Sequence, residues 1–199
     1  MPILLLIRHG ETDWNRSGQV MGNQPIPLNQ TGRQQALACA EMLATTRIAG
    51  IVTSPVLRAV QTAEIIGRTH AAPLHHAPGL SEIGVGNWIN RYWKDLAGDP
   101  AKRDWYSHPD RARPSGGETL REVQLRAVAA VEQALQIEQE APYVFVSHGD
   151  VIRALLAHYV GLDLNTLRHA RIDHAGVSGV DVTGDGTHLL FLNHRPGLA

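Results

Sequence analysis

Apolar positions along this chain follow two different periods. Ile3 to Ile7 is an unbroken apolar run, the pattern of a strand covered on both faces. "AGIVTSP" predicts a second short strand, Ile51 to Thr53, "APLHHAPGL" a third, and "YVFVSHGD" a fourth that runs into a polar turn. Between them the period lengthens. Leu28 to Gly32 opens a helix, with Thr31 and Gln34 in capping-box spacing and Leu37, Ala40, Met42, Leu43 and Ala44 on its apolar side. Ser54 is the expected cap, and Pro55 the expected first residue, of a helix through Ile66. Leu120, Val123, Ala127, Val131 and Leu135 repeat at close to 3.6 and predict a long amphipathic helix. "VIRALLAHYV" predicts another, ended by Gly161. "GVSGVDVTGDGTHLLFLN" reads as a hairpin turning at Gly184-Asp185-Gly186. Strands alternating with helices predict an α/β three-layer sandwich: a mainly parallel central sheet, an antiparallel edge and helices on both faces.

One stretch breaks the rhythm. Residues 84–117 are rich in Gly, Pro, Trp and charge and carry no long periodic face. They read as short helices and loops inserted into a single domain of residues 1–199, either a solvated cap or a lid over a pocket. Its bases include Arg111 and Arg113, placed to meet an anionic substrate tail, and Trp88 is a candidate groove wall. Trp93 reads as core of the insertion.

Composition narrows the classes. With 43% hydrophobic and 19% charged residues among 199, the chain is globular and not disordered. A formal net charge of -1 gives no global reason to expect nucleic acid or a membrane surface as partner. The single cysteine, Cys39, permits no intrachain disulfide, and the N-terminal apolar run is far short of the roughly 20 residues of a spanning helix. A cytoplasmic protein is expected, and a homodimer through an exposed strand edge stays open.

Ligands of open α/β sheets bind outside the carboxyl ends of the strands. Three exits carry chemistry: Arg8-His9 after the first strand, Arg58 in the first helical turn after the second, and Ser147-His148-Gly149 after the fourth. Parallel strands would bring two arginines and two histidines to one pocket, suited to a dianion such as phosphate. Arginines and amides suffice to bind phosphate; two histidines point to reaction. A neutral imidazole at His9 is a nucleophile toward phosphorus, and Arg8 and Arg58 disfavour its protonation. His148, protonated in the complex, would stabilise charge on the equatorial oxygens. Gly10 would admit phosphate close to the backbone. Glu82 in "GLSEIGVGNW" is the candidate acid for the leaving oxygen, its pKa raised beside bound phosphate.

"LIRHGETDWN", "SPVLRAVQTAE", "LSEIGVGNW", "GGETL" and "VSHGDVIRAL" together resemble the signature blocks of the histidine phosphatase superfamily, the phosphoglycerate-mutase-like proteins, in the same order from Ile3 to Leu156. The resemblance implies that His9 is the nucleophile, that Arg8, Arg58 and His148 complete a phosphate pocket, that Asn15 touches the phosphoryl group and that Glu82 donates the proton. It adds a backbone contact from Gly149 and implies no metal and no cofactor. The partner it implies is a small-molecule phosphate ester.

Departures bear on specificity. The mutases of the family follow the glutamate with an Arg-His-Tyr-Gly type stretch. Here Ile83-Gly84-Val85-Gly86-Asn87-Trp88 stands instead, closer to the phosphatase branch. One phosphoserine-preferring group has histidine where Val85 stands, which lowers that substrate. Asp150 replaces a small residue and is expected to weaken binding of highly charged substrates. The expected activity is a phosphomonoesterase acting on small phosphorylated metabolites through a phosphohistidine. The rivals are a bisphosphoglycerate-dependent mutase, an inactive phosphate- or partner-binding copy of the fold and, last, a metallophosphatase. His75-His76, and His169 with His174, lack metal-ligand spacing and read as strand or surface histidines. Glu11 reads as structural, Glu64 and Glu118 as helix-end or surface charges, and Cys39 as a small core residue.

Overall fold

The computed structural model describes residues 3–136, 141–183 and 186–195. Six strands form one sheet in the order β3-β2-β4-β1-β5-β6: β1 Ile3–Arg8, β2 Gly50–Thr53, β3 Leu74–His76, β4 Tyr143–Ser147, β5 Val177–Thr183 and β6 Gly186–His194. β3, β2, β4 and β1 pair in parallel; β5 and β6 add the antiparallel edge. The turn expected at Gly184-Asp185 lies outside the described residues; Gly186 opens β6.

Side chains of a strand alternate between faces, and that alternation builds two cores. Leu4, Leu6, Tyr143 and Phe145 pack with α5 (Leu120–Leu135) and α6 (Gly149–Val160). Leu5, Ile7, Val144 and Val146 pack on the other face with α2 (Gln30–Leu43) and α3 (Leu57–Gly67). Each buried Leu or Val stabilises by about 1.5–3 kcal/mol, which explains why β1 and β4 contain no polar residue until their ends. Two short helices complete the body, α1 (Asp13–Ser17) and α7 (Leu164–Leu167). The 84–117 insertion holds α4 (Pro100–Ser107) and a mutually packed set of Trp88, Trp93 and Trp105. Among the described residues no helix is long and apolar enough to cross a membrane.

Several local expectations are corrected. α2 is capped by Asn29, whose Oδ1 accepts from Gly32 N–H at 2.8 Å, so Thr31 lies inside the helix and its pairing with Gln34 caps nothing. Leu37 is 52% exposed, because Gly32, Ala36, Cys39, Ala40 and Leu43 form the buried stripe. α3 begins at Leu57, not Pro55; Val56 is its cap residue, without a side-chain bond. Ser54 instead accepts from Val56 N–H at 3.2 Å, in a turn ahead of the helix. Gly10 is required by packing: a side chain there would strike the carbonyl of Gly32, and one at Gly32 would strike Glu11. α5 spans its expected apolar stripe; α6 starts at Gly149, two residues before the expected Val151, and ends as expected at Gly161, in the left-handed conformation.

Candidate active site

Sheet register sets three strand exits abreast. Arg8 pairs with Ser147 and Thr53 with Val146. Just beyond, His9 N–H donates to Ser147 O and Ser54 N–H to Val146 O, each at 2.9 Å. Adjacent residues at the end of β1 then diverge. The Arg8 guanidinium turns to the turn before β5, donating from Nη1 to Ile172 O at 2.7 Å. His9 turns to α3.

Donor chemistry fixes the His9 tautomer. Its Nδ1 lies 2.7 Å from Gly10 O, an acceptor, so Nδ1 carries the hydrogen. Nε2 is left with its lone pair, which accepts from Arg58 Nε–H at 3.1 Å. The ring is buried, and burial holds its pKa well below the ordinary histidine value, helped by Arg58, His148 and Arg8. The imidazole is therefore neutral, with Nε2 unprotonated.

Arg58 is fully buried in the first turn of α3. Gln24 O accepts from Nη1 at 3.3 Å and Gly22 O from Nη2 at 2.9 Å, and Nη2 also donates to His148 Nδ1 at 3.1 Å. Burial lowers its pKa to about 10, so it stays cationic. Because arginine only donates, His148 Nδ1 must accept, and the Nε2–H of His148 donates to Ser54 Oγ at 2.8 Å. His148 is neutral in this arrangement, held well below its usual pKa by burial and by Arg58 and Arg8. Ser54, expected to be a helix cap, thus orients a site histidine.

Glu82 closes the group. Its Oε1 accepts from Ile83 N–H at 2.9 Å; its Oε2 lies 3.7 Å from Arg58 Nη2 and 3.6 Å from His148 Nδ1. Burial pushes this carboxyl above the usual range against the opposing pull of Arg58, which suits a proton donor. A brace missed in the sequence holds its loop. Arg126 on α5 donates to Gly79 O, Ser81 O and Glu82 O, at 2.7, 2.7 and 3.1 Å. Glu118, expected as a helix-end or surface charge, stands at the N-terminal end of α5, takes Arg126 in a two-point pair at 2.9 Å and accepts from Gly84 N–H at 2.7 Å. Glu11 is structural, as expected: its Oε1 accepts from Asn29 Nδ2 at 2.8 Å.

A cleft of about 340 Å³ opens over this cluster, lined by Arg8, Asn15, Glu82 and Gly149 among others. Asn15 Oδ1 accepts from Thr12 N–H at 3.1 Å, so its amide nitrogen is the end that can donate into the cleft. Arg8 Nε is buried without a protein partner.

The outer wall differs from expectation. Trp88 is 1% exposed, with its indole N–H on Asp99 Oδ2 at 3.1 Å, and belongs to the core of the insertion. Arg113 pairs with Glu122 at 3.0 Å, and Arg111 and Arg113 are both absent from the cleft wall. The basic groups there are Arg153 and Arg168, from α6 and the end of α7. Both pair with Asp150 Oδ1, at 3.0 and 3.2 Å, so Asp150 brings no uncompensated negative charge to the pocket. Trp93 packs with Trp88 and Trp105 in the core of the insertion, as expected, and its half-buried ring also lines the cleft with Trp105 and Tyr106. Residue spacing could not reveal this wall, because α4 and α7 meet only in the fold.

His9, Glu82 and His148 place one ligand atom each within 4.8 Å of one another, a geometry that a metal ion could use. Arg58 argues for an anion instead, since its guanidinium occupies the lone pairs of both histidines and would face any cation with a fixed positive charge. Cys39 is buried and its thiol pushed up to about 12, consistent with an inert core residue. His75 and His76 are exposed on β3. His174, expected on a strand or the surface, instead lies against His9, with ring centroids 5.9 Å apart.

Comparison with known proteins gives a consistent picture. Residues 4–195 match the family model described as "Histidine phosphatase superfamily (branch 1)". The adenosylcobalamin/alpha-ribazole phosphatase of Escherichia coli K12 is 28% identical over 194 residues, covering 96% of each chain. The "Probable phosphoglycerate mutase GpmB" of Yersinia enterocolitica is 31% identical over 182 residues, 89% of this chain and 84% of that one. The solved mycobacterial glucosyl-3-phosphoglycerate phosphatase in complex with VO3 superposes with a TM-score of 0.91 at 28% identity, covering 98% of this chain and all of its own.

Proposed function

Since the chain belongs to branch 1 of the histidine phosphatase superfamily, we propose that it hydrolyses compact phosphate monoesters by passing the phosphoryl group through His9. The observation that carries this reading is the His9 tautomer: hydrogen on Nδ1, lone pair on Nε2. In the resting site Arg58 Nε–H occupies that lone pair. A bound phosphoryl oxygen takes over this donor and frees Nε2 to attack. Arg8, Arg58, the amide of Asn15 and the N–H of Gly149 hold the phosphoryl oxygens, and His148 joins them once the bound dianion brings a proton to its Nδ1.

Nε2 forms a bond to phosphorus as the ester P–O bond breaks, and Glu82 gives its proton to the departing oxygen. Glu82, now a carboxylate, takes a proton from water. The water oxygen attacks phosphorus, the P–Nε2 bond breaks and its electron pair returns to His9. A cleft of about 340 Å³ is at the small end of ligand sites, which favours metabolites over phosphoproteins. Residues 84–117 act as its cap.

The test is a quenched single turnover with an aryl phosphate. The wild-type protein should yield an acid-labile, base-stable phosphoenzyme and free phosphate; His9→Ala should yield neither. Undiminished turnover in His9→Ala rejects the reading. With 3-phosphoglycerate, isomerised product instead of free phosphate would favour a mutase. Any measurable ester turnover removes the purely binding role. The lone cysteine supports a cytoplasmic setting. Edge strand β6, with Leu189, Leu190, Phe191 and Leu192 each 39–48% exposed, is where a second copy would add; the light-scattering mass of the purified chain tests it.

A further inference from the structure

We infer that His174 is a positioning residue for the nucleophile, its ring backing the His9 imidazole so that Nε2 stays aimed at the phosphoryl site. The inference rests on His9 being the nucleophile. It begins with the turn Ile172-Asp173-His174-Ala175-Gly176, which leads from α7 into β5. This turn is fastened to the Arg8-His9 segment. Arg8 N–H donates to Gly176 O at 3.2 Å, and Ala175 N–H donates to Arg8 O at 3.0 Å. The Arg8 guanidinium holds Ile172 O. On its far side the turn is locked by Asp173, whose N–H donates to Asn193 Oδ1 at 2.7 Å and whose carboxylate accepts from Asn193, Arg171 and Arg195.

Ala175 has φ +53°, a left-handed conformation that an alanine adopts only when its surroundings impose it. The strained residue directly follows His174. The ring thereby lies 5.9 Å from that of His9, at 43°; the His148 ring lies 5.2 Å away, at 60°. His9 is held between two imidazoles.

A second observation concerns how the His174 ring acts. Its Nε2 is buried with no hydrogen-bond partner. With no hydrogen bond made by that nitrogen, the ring acts through its shape and the water it excludes, which a leucine of similar volume reproduces. The ring stays neutral: burial, and Arg8 beside it, bring its pKa to about 3, with Asp173 opposing. It therefore adds no repelling charge next to the nucleophile while keeping water from it.

The groups facing His9 are Arg8 from β1, Arg58 from α3, Glu82 from the loop after β3, His148 at the start of α6 and His174 from this turn. Of these His148 and His174 exclude water as neutral rings, and His148 is in addition hydrogen-bonded to Arg58 and Ser54. Removing His174 should raise the His9 pKa through hydration alone.

The experiment measures single-turnover phosphorylation of His9 by an aryl phosphate between pH 4 and 8, in wild type, His174→Ala and His174→Leu. The inference expects His174→Ala to be slowed roughly 10-fold or more with substrate affinity little changed. Its acid limb should move upward by about one pH unit. His174→Leu should recover most of both. An unchanged rate and acid limb in His174→Ala overturns it. So does slowing that leaves the acid limb in place and that leucine does not rescue, since that pattern belongs to chemistry of the nitrogens or to damage of the fold. Absence of a phosphoenzyme in the wild-type protein would instead reject the nucleophile reading itself.

Discussion

At the residue scale, the proposed reaction sets two ionisations against each other. His9 must be unprotonated to attack, and its pKa is depressed. Glu82 must be protonated to donate, and its pKa is raised. Activity therefore rises with pH through the His9 ionisation and falls as pH rises through that of Glu82. Glu82→Gln should abolish the alkaline limb. For an alkyl ester it should lower kcat by the roughly 10²–10⁴-fold that general acid catalysis supplies. An aryl ester, whose leaving oxygen needs little help, should lose far less. A pH–rate series on one ester of each kind checks both outcomes; equal losses would rule out Glu82 as the donor. Arg8, His9, Arg58 and His148 were legible as residue types at or just beyond strand ends, and Glu82 as the carboxyl leading into the irregular stretch. Ser54 and His174 were not, because their partners lie 94 and 165 positions away in the chain.

At the element scale, one of several ties between the insertion and the body runs through a single side chain at the cleft. Arg168, at the end of α7, places its guanidinium carbon 3.8 Å from the Trp105 ring centroid and 4.4 Å from that of Tyr106. Its Nη1 also donates to Asp150 on α6 at 3.2 Å. A partly buried cation–π contact is worth about 0.5–2 kcal/mol. Arg168→Met keeps the stem and removes both contacts. It should raise KM roughly 3- to 30-fold, following the same energies, with a smaller change in kcat, and should speed amide hydrogen exchange across 100–107. A fall in kcat alone, with exchange unaltered, would show that the contact does not hold the insertion. Helix periodicity foretold α5 and α6 because their apolar stripes are long. It misjudged the start of α2, where Asn29 competes with Thr31 for the cap and wins through its tie to Glu11.

At the scale of the whole molecule, the site burdens the fold in acid. His9, His148 and His174 are buried neutral, with pKa values below the 6.5 of a free imidazole. Below pH 6.5 the unfolded chain takes up protons that the folded one refuses, so stability is fully present above 6.5 and is lost as pH falls. The loss approaches about 1.4 kcal/mol per pH unit for each histidine. Urea midpoints measured at pH 7.5 and 5.5 should therefore drop at the lower pH. His174→Leu removes one such group and should lessen the drop; an equal drop in that variant would mean that His174 does not contribute.

The sequence by itself determined which segments become strands and the longer helices, and it put guanidinium and imidazole groups where strands end and a carboxyl leading into the insertion. Those features are local: a period of 2 or 3.6, a run of apolar residues, a glycine at a helix end. Tertiary structure alone decided the ring tautomers, the brace from Arg126, the outer wall of Arg153, Arg168, Trp105 and Tyr106, and the seat of His174 against His9. Each of these depends on which distant surfaces touch and on how much water they exclude. Such contacts fix pKa values and hydrogen-bond partners, and they carry no periodic trace along the chain.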